Sequence, residues 1–121
     1  MPIFKSTYLE ACAAAIFSAA GAPLEKAQRV AELLVESNLV GHDSHGIIRV
    51  SQYVATIERG EIDPHAEITV ESETDASAVL NGHWGFGQVV MSQAASMAVE
   101  KAAHCGVAAL TVRNANHIGR L

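Results

Sequence analysis

Three apolar-periodic segments, each closed by a glycine, fill the first sixty residues and confine that stretch to helices packed on one another. Leu9, Cys12, Ala13, Ile16, Phe17 and Ala20 recur at intervals of three and four before Gly21, the spacing of one helix face. Ala27, Val30, Ala31, Leu34, Val35 and Asn38 form the stripe of a second helix that ends at Gly41, with Pro23 suited to its first turn. Val50, Val54 and Ile57 predict a third helix over residues 47–59, closed by Gly60. Thr7 with Glu10 three positions on has the spacing of a capping box for the first helix. Asp43 or Ser44 is the expected N-cap of the third.

Beyond Gly60 the periodicity changes. "AEITVES" and "ASAVL" carry the β-branched content of two strands, joined by the polar "ETD". "NGHWGFGQ" reads as a Gly-rich turn, with positive φ angles, that opens a fourth helix. Val89, Val90, Ala94, Met97, Ala98 and Lys101 form that helix's stripe, and it stops at Cys105-Gly106. "VAALTV" reads as a short buried strand and "RNANHIGRL" as a polar loop. The expectation is a mixed α+β fold: N-terminal helices, then a small mixed sheet with a crossover helix. Residues 1–60 form the helical segment, and residues 61–121 begin the mixed α/β part, truncated after "NHIG" inside a loop.

Composition removes several function classes. Half the residues are hydrophobic and 17% charged, so the chain folds. Thirteen acids against eight bases leave no basic stripe for nucleic acid or an anionic membrane. The first residues lack a basic region followed by a long apolar core, and no run of apolar residues is long enough to span a bilayer, so a cytoplasmic location is expected. Cys12 and Cys105 stand far apart without a CxxC, which reads as two free core thiols.

The chemistry concentrates in "GHDSHGIIRV", residues 41–50. Histidine gives or takes a proton at neutral pH, and His45 lies between Ser44 and a glycine that leaves room for a substrate. Arg49, four residues on, lies about one helical turn away, where a guanidinium can hold a carboxylate bidentately. The bland alternative is a helix cap flanked by a surface histidine and arginine. His42, Asp43 and His45 invite a metal, but two histidines three apart without HExxH or a third ligand argue against one.

Two further stretches matter. "LNGHWGFGQVV" looks like a dinucleotide fingerprint but fails: Val90 stands where GxGxxG needs glycine. An anion site at the helix start stays open beside the plainer reading of a turn. "RNANHIGR" sets Asn114, Asn116, His117, Arg113 and Arg120 in a loop directly after a strand, where sites are commonly built; a turn using Asn at left-handed positions is the alternative.

Taken together, "GHDSHGIIRV", "NGHWGFGQVV" and "VRNANHIGRL" resemble three successive blocks of the malate/L-lactate dehydrogenase family. That family comprises NAD(P)-dependent 2-hydroxy acid dehydrogenases and 2-oxo acid or cyclic-imine reductases outside the Rossmann fold. The resemblance runs the length of the chain, in order. It implies that His45 is the proton donor to the substrate carbonyl or imine, that Ser44 hydrogen-bonds in the site and that Arg49 grips the substrate carboxylate. Asn116 and His117 would bind substrate, with His117 and Gly119 also meeting the nicotinamide of NAD or NADP. It further implies a homodimer with sites near the subunit interface. Family members are far longer, and the aspartate that partners the catalytic histidine lies beyond these residues, as do most cofactor-binding elements. The resemblance is therefore to an N-terminal portion, expected to be inactive alone. Two other classes stay open on the residues themselves: a non-catalytic helical binding or assembly module, and a metal-dependent hydrolase using His42, Asp43 and His45.

Overall fold

The computed structural model describes residues 2–120. The chain divides into two compact units, one of Met1–His65 with Gly119–Leu121 and one of Ala66–Ile118.

The first unit is helical. α1 (Ser6–Ala19) and α2 (Leu24–Leu39) are followed by two single 3₁₀ turns, Asp43–His45 and Ile47–Arg49, and then by α3 (Val50–Glu58). Alanine-rich α1 loses little entropy on forming a helix and buries Ala13, Ala14 and Phe17. α2 buries Ala27, Val30, Ala31, Leu34 and Val35, the expected stripe, together with Ser37. Asn38 is only half-buried. Phe17 is fully buried and its ring lies 6.2 Å from that of Tyr53, the one buried residue of α3. Burying Phe17 contributes about 2–3 kcal/mol. Ile16 is exposed instead of buried, because it lines an apolar groove of about 680 Å³ with Leu9, Cys12, Ile48 and Val54.

Three expectations about helix starts fail. α1 begins at Ser6 with Lys5 as its N-cap, so Thr7 lies inside the helix and makes no capping box. The Lys5 carbonyl accepts from the backbone N–H groups of Tyr8 and Leu9, which closes the first turn without a side chain. Pro23 is the N-cap of α2 and not its first helical residue. α3 starts at Val50, not Ile47, and neither Asp43 nor Ser44 caps it: the chain makes two 3₁₀ turns first and Arg49 is the N-cap.

The second unit is a three-stranded mixed sheet in the order β1 (Thr69–Glu73), β2 (Ser77–Asn81), β3 (Ala109–Arg113), with α4 (Gly87–Cys105) as the crossover. β1 and β2 pair antiparallel, Val70 opposite Leu80, with an irregularity between Val70 and Ser72. β2 and β3 pair parallel, Ala78 opposite Leu110, which is why a whole helix lies between them. Ala78, Leu80 and Ala94 form a core cluster of this unit, with Ile68, Met97, Leu110 and Val112 packed against it, and Phe86 and Val90 are buried as well. β3 is not buried as expected: its residues alternate between exposed and half-buried, as a strand covered on one face does. α4 ends on Gly106, whose φ of +84° lets the chain reverse after Cys105. Both cysteines are free, but Cys105 is exposed and Cys12 half-buried, so neither is a core thiol. No helix among the described residues is long and apolar enough to cross a membrane.

Candidate functional site

The first cluster is built by the reversal after α2. Gly41 takes a φ of +82°, and the His42 backbone N–H reaches back to the Ser37 carbonyl at 2.8 Å. The next turns close in sequence: His45 N–H donates to the His42 carbonyl, Gly46 N–H to that of Asp43 and Arg49 N–H to that of Gly46. This folding sets Ser44, His45 and Arg49 in one loop. Ser44 Oγ lies 2.9 Å from His45 Nδ1. Arg49 Nε donates to the Ser44 carbonyl at 2.7 Å, and its Nη1 donates to Gln52 Oε1 at 2.6 Å. The His42 and His45 rings meet edge to face, centroids 5.9 Å apart. Asp43 and Ser44 are exposed and His45 and Arg49 half-buried, so the group faces solvent from a fixed backbone.

One residue of this cluster escapes a reading by motif. Asn38, in the last turn of α2, donates through Nδ2 to Asp43 Oδ1 at 2.6 Å and accepts the Ile47 backbone N–H on its Oδ1 at 2.8 Å. The signal was an amide set in an apolar helix stripe.

The second cluster lies where β2 and β3 end. Asn81, nearly buried, accepts the His83 backbone N–H at 3.0 Å and the Asn114 side-chain amide at 3.1 Å on one oxygen, and donates to Glu71 Oε1 at 3.1 Å. The Arg113 guanidinium also donates to Glu71, and holds its carboxyl below the usual carboxylate range. Asn116 donates to the carbonyls of Trp84 and Gly85 at 2.7 and 3.3 Å, tying its loop to the Gly-rich turn. His83 Nε2 lies 2.7 Å from Thr69 Oγ1. His117 is exposed.

The Gly-rich turn departs from expectation in an instructive way. Positive φ falls on His83 (+48°) and Trp84 (+61°), not on Gly82, Gly85 or Gly87. The glycines serve close approach: a Cβ on Gly87 would lie 2.3 Å from the carbonyl oxygens of both Asn116 and His117. The start of α4 is thus packed against the chain's own carbonyls, a poor place for a diphosphate. Arg113 pairs with Glu71 and Arg120 with Glu36, at 3.2 Å for the latter. Leu121, the last residue of the polar loop, is outside the described residues.

The structure therefore brings Ser44, His45 and Arg49 together in the first unit, and Asn116 and His117 in the second; Gly119, with a φ of +83°, groups with the first. Among the described residues no three His, Cys, Asp or Glu side chains come together in a way that could hold a metal ion.

Comparison with known proteins supplies the context for these clusters. Residues 4–121 match the family model described as malate/L-lactate dehydrogenase. The L-sulfolactate dehydrogenase of Methanocaldococcus jannaschii is 41% identical over 99 residues, which is 82% of this chain and 29% of that protein. Hydroxycarboxylate dehydrogenase B of Escherichia coli O157:H7 is 35% identical over 118 residues, 98% of this chain and 33% of that protein. The solved sulfolactate dehydrogenase from M. jannaschii superposes with a TM-score of 0.94 at 36% identity, covering 98% of this chain and 34% of that one. Malate dehydrogenase from Pyrococcus horikoshii OT3 gives 0.91 at 34% identity, covering 94% of this chain and 33% of that one. The chain spans about a third of the length of these relatives. With the family model matched over residues 4–121 and the fold shared with a solved sulfolactate dehydrogenase over 98% of the chain, the chain belongs to the malate/L-lactate dehydrogenase family.

Proposed function

We propose that these residues supply the proton donor and the carboxylate anchor of an NAD- or NADP-dependent 2-hydroxy acid dehydrogenase. The observation that carries the reading is the Ser44–His45–Arg49 loop: Ser44 Oγ sits at 2.9 Å from Nδ1 of His45, while Arg49 is tied to the carbonyl of that same serine. With Ser44 engaged on Nδ1, Nε2 is the imidazole nitrogen assigned to the substrate oxygen. As negative charge develops on that oxygen during reduction, His45 gives it a proton; in oxidation His45 accepts the proton from the hydroxyl. Arg49 holds the carboxylate through Nη2, and a two-pronged grip draws in Nη1 when Gln52 releases it.

The nicotinamide nucleotide, when bound, supplies or takes the hydride at C2 of the acid. The fit of the present residues to it is partial. Of the residues present, His117 and Gly119 would be the ones to meet the nicotinamide, and His117 is exposed. The Gly-rich turn, filled by the Asn116 and His117 carbonyls, offers no cradle for the diphosphate. On this reading residues 1–60 contribute the "DSHG" loop and residues 61–121 begin the α/β part; the enzyme is a cytoplasmic homodimer, and these residues alone do not turn over.

The test is NADH and NADPH oxidation by the full gene product against a panel of 2-oxo acids. His45→Ala should lower kcat by about 10²–10⁴-fold with cofactor affinity little changed. Arg49→Lys should raise KM for the acid, because an ammonium lacks the planar fork. Full turnover in His45→Ala would sink the assignment.

A further inference from the structure

We infer that Asn38 is a positioning residue for His45: its amide straps the "DSHG" loop to the last turn of α2. The inference rests on the dehydrogenase reading for its catalytic consequence, and on geometry alone for the strap.

The two hydrogen bonds of Asn38 fall on either side of Ser44, His45 and Gly46. Nδ2 holds Asp43 Oδ1 at 2.6 Å before them and Oδ1 holds the Ile47 N–H at 2.8 Å after them. The side chain crosses the loop between these anchors, so closely that a Cβ on Gly46 would lie 2.2 Å from Asn38 Oδ1 and 2.5 Å from its Nδ2. Gly46 is the space into which the amide fits. The strap needs one donor and one acceptor at the end of a short stem. Leucine, its apolar isostere, has neither; aspartate has only acceptors, and would put a second carboxylate against Asp43. His45 N–H and Gly46 N–H close the loop on itself, through the carbonyls of His42 and Asp43, whereas Asn38 joins it to a helix through a side chain at both ends. Proton transfer is sensitive to displacements of a fraction of an ångström to an ångström, so a loosened loop costs turnover before it costs folding.

The chemistry of the pair provides a test that a purely structural polar residue would not pass. Asn38→Asp opposes two carboxylates. Adding Asp43→Asn reverses the donor and acceptor: the amide now at position 43 donates to one oxygen of the carboxylate now at position 38, and the other oxygen still accepts Ile47 N–H. In the full gene product, Asn38→Asp should lower kcat about a hundredfold, with KM for the nicotinamide nucleotide within about twofold. The double swap should return most of that loss. The His45 imidazole resonance, followed by NMR in the same variants, should be displaced in Asn38→Asp and return in the swap. A silent Asn38→Asp, or a double swap as impaired as the single variant, overturns the strap. If the unaltered protein reduces no 2-oxo acid, the dehydrogenase reading fails, and the resonance alone decides the strap: recovery in the swap supports it, and no displacement or no recovery overturns it.

Discussion

The loop after α2 and the turn after β2 each close around a glycine, but the neighbour packed on that glycine is a side chain in one and backbone in the other. At Gly46 the intruding group is the Asn38 amide, the end of a rotatable stem. At Gly87 it is the carbonyl oxygens of Asn116 and His117, fixed within a main chain that is itself hydrogen-bonded to the turn through Asn116 and Trp84. The first arrangement straps the loop that carries His45 to α2 by one adaptable side chain, through two hydrogen bonds. The second locks a strand end, a turn and a helix start into a single piece. A loop held by a side chain can be loosened without unfolding the molecule, whereas a turn held by backbone cannot.

The sharpest way to break this contrast is Gly87→Ala. A methyl 2.3 Å from two carbonyl oxygens forces the 114–118 loop or the start of α4 to move. The expected loss is about 3 kcal/mol, at the upper end for overpacking. It is read as a lower denaturant midpoint with unchanged slope. A loss under about 1 kcal/mol would show that the loop carbonyls yield easily, and the two glycines would then be alike.

Gly46→Ala is the matched experiment, and its expected effect on stability is smaller. The backbone there is extended, with φ −94° and ψ −152° and no left-handed φ, so the chief obstacle to alanine is room. The Asn38 side chain swings out and both of its hydrogen bonds are lost. The cost is about 1–2 kcal/mol in denaturant unfolding, while on the proposed dehydrogenase reading kcat for 2-oxo acid reduction should fall more than about tenfold as His45 loses its support. A variant that unfolds like Gly87→Ala, or one that keeps full turnover, would erase the distinction between the loops.

The same contrast explains what could be read from the chain. The helix ends were legible because Gly21, Gly41, Gly60 and Gly106 follow apolar stripes, and the helices do stop there. Ser44, His45 and Arg49 were legible as a group because one short loop carries all three. Asn38 was not, because its partners lie beyond a chain reversal, and in a stripe an amide looks like tolerated polar content. Asn81 was hidden for a similar reason: a strand-end asparagine gives no sign that it will join Glu71, His83 and Asn114. Gly82, Gly85 and Gly87 suggested positive φ, but the left-handed residues are His83 and Trp84. Glycine in such a turn has two uses, conformational freedom and the absence of a Cβ. Only the three-dimensional neighbours of each position decide which one applies.

The smallest effect is expected where the second region is held by charge instead of backbone. Glu71 accepts from Arg113 and from Asn81 Nδ2, and the Arg113 guanidinium foremost holds its carboxyl below the usual range, against the opposing effect of desolvation. A carboxyl that releases its proton more readily folded than unfolded stabilises the fold above the ordinary carboxylate range. That stabilisation fades as the pH falls through the lowered value. Glu71→Gln keeps an oxygen for both donors and removes the charge, so its deficit in Tm at neutral pH should be slight and should shrink steadily on acidification, since the pair is exposed and screened. Thermal unfolding of the two proteins across the acid range measures this directly. A gap that stays constant with pH would mean that shape and hydrogen bonding at Asn81 matter and the charge does not, which would make this strand end a neutral counterpart of the Asn38 strap.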